Sequence, residues 1–190
     1  MGGALSRRGT LLIVVAPLVA GAIAVVAGAA GAQGKPARTS TAVVSMDEGG
    51  EIVLELFPQD APRHVENFLT LAKKGFYDGQ RVHRVEPNFV VQFGDPQSKT
   101  KPMDDPAMGT GGPGYTIKAE FNNRPFERGV LGMARSQNPD SAGSQVYIML
   151  GPAPSLNGKY TAFGQVTKGM EVVDKIRVGD RIKSIKVVEK

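Results

Sequence analysis

The sequence predicts a mainly β fold: a closed eight-stranded antiparallel barrel capped by two helices. Three observations predict it. Apolar residues recur with a period of two in short runs bounded by turn residues. The 24 Gly and 13 Pro are spread along the chain rather than massed in one tract, which suits many strands joined by turns. Helical periodicity is confined to two segments of the domain. A closed antiparallel barrel leaves no sheet edge exposed, and two helices can plug its open ends.

The first 32 residues stand apart from this fold. Arg7 and Arg8 precede Thr10–Ala32, an apolar run without a charge before Lys35. A basic start, an apolar stretch and small residues at its end describe an export signal. Ala27-Gly28-Ala29 and Ala30-Gly31-Ala32 both fit an A-x-A cleavage site, the second leaving Gln33 as the new N-terminus. The run is also long enough for an uncleaved membrane anchor, which needs roughly 20 residues. Either way the basic end stays cytoplasmic and the rest of the chain lies outside the cytoplasm. Ser6–Leu11 is a partial twin-arginine match, lacking the usual aromatic. Residues 33–40, small, polar and containing Pro36, read as a flexible tether. The domain is expected over 41–190.

Within it, Thr41–Met46 and Glu51–Phe57 are strand runs joined by the turn signal Asp47-Glu48-Gly49-Gly50. In the second, Ile52, Leu54 and Leu56 share a face, the mark of a half-buried strand. A helix opens at Asp60-Ala61-Pro62, with Asp60 as the expected cap and Pro62 in the first turn. Val65, Phe68, Leu69 and Ala72 form its apolar face, and Gly75 follows its basic end. Further strands are expected at Arg81–Val85, Phe89–Phe93, Tyr115–Glu120, Gly129–Ala134, Gln145–Leu150 and Ala162–Val166. Met170–Ile176 is the second helix, with Val172, Val173 and Ile176 on its buried side. Arg181–Val188 closes the fold. The count is about eight strands and two helices, without an internal repeat.

Composition narrows the chemistry. The hydrophobic fraction of 41% supports a buried core. The net charge of +5 arises from basic residues interleaved with acidic ones, as at Glu120, Arg124, Glu127 and Arg128. A nucleic-acid partner would need a clustered basic stripe. The absence of cysteine excludes disulfides, thiolate catalysis and Cys-based zinc sites. With only His64 and His83, a His-rich metal site is not expected either. Gly109-Thr110-Gly111-Gly112-Pro113-Gly114 fits G-x-G-x-x-G, yet neither a strand precedes it nor a helix follows it, so it reads as a loop. Ser144 lacks the flanking glycines of a nucleophile elbow, because Ala142 and Val146 stand there.

The informative segment is Val82-His83-Arg84-Val85-Glu86-Pro87-Asn88-Phe89-Val90-Val91-Gln92-Phe93-Gly94-Asp95. Strand alternation points Phe89, Val91 and Phe93 one way, and Val90 and Gln92 the other. On spacing alone Arg84 is an ordinary surface cation and Gln92 an exposed polar residue.

This segment resembles the signature of the cyclophilins, in which a His-Arg strand runs through Pro and Phe to Gln and Gly-Asp. The resemblance continues in order through Gly109–Glu120-Phe121, Gly129–Ala134, Gly143-Ser144-Gln145-Val146-Tyr147-Ile148 and Leu156–Gly164. It spans about Ala42 to Lys190. It implies a cyclophilin-like barrel and peptidyl-prolyl cis-trans isomerase activity on proline-containing segments of folding proteins, without a cofactor and as a monomer. By resemblance, Arg84 takes the catalytic position and Gln92 orients it. Phe89, Val90, Tyr147 and Leu156 line a proline pocket. Ala134 and Arg135 present backbone groups to an extended peptide, with Gln145 beside them. Tyr160 falls where many members have histidine.

Three positions depart from the pattern. Ser155 stands where a tryptophan is frequent, Tyr147 where Phe is common, and Arg135 where Asn is common. Because cyclosporin uses the tryptophan position in the family, Ser155 puts sensitivity to that ligand in question. Arg84, Phe89 and Gln92 are intact, which favours a catalyst. A proline-segment binding module without turnover, and a folding helper acting through its surface, are the competing readings.

Overall fold

The computed structural model describes Met1 and residues 40–188. The predicted export or anchor segment 1–32 and tether 33–40 therefore lie, Met1 and Ser40 apart, outside the described residues. No helix among the described residues is long and apolar enough to cross a membrane.

The described residues form eight strands: β1 Thr41–Met46, β2 Glu51–Leu56, β3 Arg84–Glu86, β4 Val90–Phe93, β5 Val130–Met133, β6 Val146–Met149, β7 Ala162–Lys168 and β8 Ile182–Val188. They form one sheet in the order β3-β4-β6-β5-β7-β2-β1-β8, and every pairing within it is antiparallel. Two helices, α1 Pro62–Lys73 and α2 Met170–Val173, accompany it. The mainly β class stands, with one correction. The sheet curls into a half-barrel, and no ladder joins β3 to β8. Among the described residues the gap is spanned by an isolated bridge between Arg81 and Arg181 and a few backbone hydrogen bonds such as Val82 N–H to the Asp180 carbonyl at 2.9 Å.

The period of two is realised where it was expected. Ile52, Leu54 and Leu56 are each about fully buried, and they join Phe68, Val91, Leu131, Ile148 and Phe163 in the main core. The helix α1 adds Val65, Phe68 and Ala72, with Leu71 as a further buried position. In α2, Val173 is buried and Ile176 follows just past the helix, which ends earlier than the sequence suggested.

Two local expectations fail for identifiable reasons. Asp60 does not cap α1. The capping position is Ala61, which supplies no side-chain bond, while Asp60 accepts from Arg124 Nε at 2.7 Å. The free N–H groups of Arg63 and His64 instead donate to the Glu120 carboxylate at 3.1 and 3.0 Å. This satisfies helix N-terminal donors from a segment distant in sequence. The expected strand Tyr115–Glu120 is not a strand. Only Ile117 forms a bridge, to Ala142. Side chains take the neighbouring N–H groups: Ala119 donates to Asp140 Oδ1 at 2.9 Å and Glu120 to Thr161 Oγ1 at 3.0 Å.

The adjacent strands β4, β6 and β5 are buried on both faces. Val91, Phe93, Leu131, Met133, Val146 and Ile148 face the main core. Their alternates Val90, Val130, Tyr147 and Met149 face outward but are covered by a second apolar cluster that includes Phe126, Ala153 and Ala162. That outer face is the floor on which the site is built.

Candidate active site

The turn between β3 and β4 places the first site residues. Phe89 N–H donates to the Glu86 carbonyl at 3.0 Å, and Asn88 adopts a left-handed φ of 60°, a conformation asparagine tolerates better than most side chains. Arg84 and Gln92 then face each other across the hairpin. Gln92 lies opposite Tyr147 on β6, and Tyr147 opposite Gly132 on β5. A side chain at 132 would overlap the Tyr147 ring, so glycine there lets the ring lie flat over the sheet. Leu156 and Tyr160 come from the segment after β6, where Tyr160 N–H donates to the Leu156 carbonyl at 3.2 Å.

These elements enclose a cleft of about 280 Å³ lined by Arg84, Phe89, Val90, Gln92, Ala134, Arg135, Tyr147, Leu156 and Tyr160. It contains nine of the ten residues singled out in the sequence. The tenth, Gln145, lies beside it, lining a second cleft of about 580 Å³ with the Gly109–Thr116 loop. Gln92, Ala134 and Arg135 border both. Phe89 departs from the alternation: it precedes the strand and packs against the outer cluster with Val90, not against the core with Val91 and Phe93.

A chain of hydrogen bonds ties the two clefts together. Arg84 Nη1 donates to Gln92 Oε1 at 3.3 Å. Gln92 Nε2 donates to Gln145 Oε1 at 2.9 Å. Gln145 Nε2 donates to the carbonyls of Gly109 and Gly111 at 2.9 and 2.8 Å. The guanidinium also lies 5.7 Å from the Phe89 ring centroid and 3.5 Å from Glu86. The Arg84 side chain remains 45% exposed, so it presents donors at the mouth of a cleft whose apolar part is made by Phe89, Val90, Tyr147 and Leu156.

The sequence reading missed what holds the glycine-rich loop. Asp95, fully buried, accepts from Gly109 and Gly111 N–H at 2.6 and 3.2 Å through Oδ2, and from Gln97 N–H at 2.8 Å through Oδ1. Its place directly after the strand bearing Gln92 was visible, but its partners lie across a loop whose path local spacing does not encode. The loop has neither a preceding strand nor a following helix. The Tyr147 hydroxyl is buried without a partner, and burial pushes its pKa well above the ordinary phenol value, with Tyr160 adding to the rise and Arg135 opposing it. Burial also lowers the His83 pKa; the Asp95 charge and Gln145 oppose that, and the Arg84 charge reinforces it.

Such a site can seat a small apolar ring and offer hydrogen-bond donors at its rim. Comparison with known proteins gives the chemistry a class. Residues 41–189 match the family model described as cyclophilin type peptidyl-prolyl cis-trans isomerase/CLD. The chain is 46% identical over 143 residues to a probable peptidyl-prolyl cis-trans isomerase of Brucella suis, covering 74% of this chain and 72% of that protein. It is 44% identical over 144 residues to peptidyl-prolyl cis-trans isomerase B of Bacillus subtilis, covering 75% and 94%. A crystal structure of a Cryptosporidium parvum cyclophilin type peptidyl-prolyl cis-trans isomerase superposes with a TM-score of 0.69 at 26% identity, covering 80% of this chain and 99% of that one. The same protein in the presence of the dipeptide Ala-Pro gives 0.68 at 27% identity, covering 79% and 99%.

Proposed function

The chain belongs to the cyclophilin-type peptidyl-prolyl cis-trans isomerases, and from that premise we propose that it accelerates X-Pro isomerisation in folding proteins outside the cytoplasm, with Arg84 and Gln92 as its catalytic pair. The isomerase class rests on family membership. The residue roles rest on one observation: a guanidinium held by Gln92 at the mouth of a cleft floored by Val90 and Tyr147.

The reaction needs no bond to break. Partial double-bond character gives the peptide C–N bond a rotation barrier of about 18–20 kcal/mol. X-Pro isomers lie close in energy yet exchange in tens to hundreds of seconds. At the twisted midpoint the proline nitrogen becomes pyramidal and regains its lone pair. A donor placed beside that nitrogen bonds more strongly there than in either planar ground state, which is differential transition-state binding. Arginine suits the task because it stays protonated and carries a rigid fork of donors. One arm of the fork is held by Gln92. Phe89, Val90, Tyr147 and Leu156 seat the proline ring and exclude water that favours the planar amide. Ala134, Arg135, Gln145 and Tyr160 flank the path of the peptide.

The test is catalysed isomerisation of a proline tetrapeptide by the purified protein, with and without cyclosporin. Turnover well above the spontaneous rate supports the proposal, and no acceleration overturns it. The cyclosporin arm reads whether that ligand still inhibits a chain with Ser155 in place of the frequent tryptophan. The basic and apolar pattern of residues 7–32 is what supports the proposed extracytoplasmic location. Cell fractionation, with mass spectrometry of the mature N-terminus, tests it and separates a cleaved signal from an anchor.

A further inference from the structure

Arg135 occupies the saddle between the two clefts, and its side chain is fixed. Nη1 donates to the carbonyls of Ser136 and Gln137 at 2.8 and 3.3 Å, and Nη2 to that of Lys159 at 3.0 Å. The guanidinium carbon lies 4.3 Å from the Tyr160 ring centroid. All these partners are neutral, so they hold the cation without cancelling its charge. No ion pair among the described residues involves it. Of the residues lining the 580 Å³ cleft, Arg135 alone is charged. The proline cleft adds a second cation, Arg84, and no acid.

None of the nearby carboxylates lines either cleft. Asp95 lies behind the glycine-rich loop and is saturated by three backbone N–H groups. Asp140, in the segment after Arg135, accepts from Ala119 N–H at 2.9 Å; that bond leaves its charge in place, but it lies outside both clefts. Glu120 accepts from the His64 ring, 2.6 Å away, and from the first N–H groups of α1, outside both clefts. Glu86 lies against Arg84, at 3.5 Å, on the exposed side of the hairpin.

We propose that Arg135 is a specificity-determining residue that selects proline segments carrying Asp or Glu close to the proline, the acidic side chain lying in the larger cleft against the guanidinium. The inference rests on the isomerase reading and names its substrate class. A cation already ordered by neutral carbonyls and an aromatic face loses little side-chain freedom when an anion arrives. A charge-opposed contact of this half-exposed kind corresponds to a preference of about fivefold. Lysine at the same place is disfavoured by two cations.

The experiment moves a single Glu, Gln or Lys through the three positions before and after proline in an otherwise neutral peptide, and measures kcat/KM for the full protein. The expected result is Glu above Gln by about fivefold, and Lys below Gln, at one or two adjacent positions. The preference should shrink in about 1 M salt, where the screening length is only about 3 Å. Arg135→Gln should abolish the difference, and Arg135→Lys should retain part of it. Equal turnover of Glu and Gln peptides at every position overturns the inference, as does a difference that survives in Arg135→Gln. Should that variant fail to fold, the wild-type scan at two salt concentrations decides the matter alone. Failure to isomerise any peptide would instead sink the isomerase reading itself.

Discussion

Arg84 and Gln92 are cross-strand partners whose side chains meet, Nη1 to Oε1 at 3.3 Å. The contact aims the guanidinium from an exposed strand edge across the mouth of the cleft. Replacing Arg84 by alanine removes the donor proposed to act on the pyramidal nitrogen and leaves the floor of Val90 and Tyr147 in place. Arg84→Ala is expected to lower kcat/KM at least tenfold, an effect of about 1.4 kcal/mol. A coupled proline-peptide assay measures it, and near wild-type activity would overturn the assigned role.

Gln92 acts through Arg84, so the two substitutions should not add. Gln92→Ala frees the guanidinium and cuts the link to Gln145 and the glycine-rich loop. Loss of about 1 kcal/mol, roughly fivefold in kcat/KM, is expected. In the Arg84→Ala background the same change should cost much less, because its target is gone. Full additivity in the double-mutant cycle would show that Gln92 serves some other end.

Tyr147 carries a hydroxyl that its surroundings do not satisfy. The residue is 5% exposed and the oxygen has no partner. An unpaired buried hydroxyl costs about 1–3 kcal/mol. Tyr147→Phe removes it while keeping the ring that packs against Phe126 and Tyr160. The variant is expected to be as stable as the parent or more so, with isomerase activity retained. A thermal melt showing clear destabilisation would mean that the hydroxyl is bonded in solution.

The strands were legible where one face is apolar and the other is wet, as in Ile52, Leu54 and Leu56. Period and burial then carry the same information. The sites of failure are places where the chain satisfies its backbone from far away in sequence. Glu120 serves the N-terminus of α1 from 56 residues away, and no local spacing announces that. In Tyr115–Glu120, side chains of Asp140 and Thr161 take the N–H groups of Ala119 and Glu120 where an expected strand would have used a neighbouring strand. Phe89 broke the alternation because the turn holding Asn88 at positive φ resets the phase before β4 begins. The candidate site was readable residue by residue only through resemblance, since Arg84 by itself looks like any surface cation. What resemblance did not reveal is the link from Arg84 through Gln92 and Gln145 to the loop pinned by Asp95.

The chain's two histidines set its acid stability. His64 is fully buried, with Nδ1 2.6 Å from Glu120 and Nε2 without a partner. Burial lowers its pKa below the ordinary 6.5 despite the nearby carboxylate, and burial does the same at His83. Glu120 is pushed up by burial, but the bonds from His64 and Arg63 bring it net below 4.5. All three groups therefore hold fewer protons folded than unfolded as pH falls. The histidine contribution is complete above pH 6.5 and is lost as pH drops below it. That of Glu120 is lost lower, as its own folded pKa is approached. A flat Tm above about pH 7 and a decline below about 6.5 are expected. His64→Gln does not titrate, and its side-chain N–H can still donate to Glu120. It should reduce the decline in that window, with His83 responsible for what is left. The double variant His64→Gln/His83→Gln should move the onset into the carboxylate range, below about 4.5. Thermal melts across pH 4 to 8 check this, and an unchanged profile in the double variant would refute it.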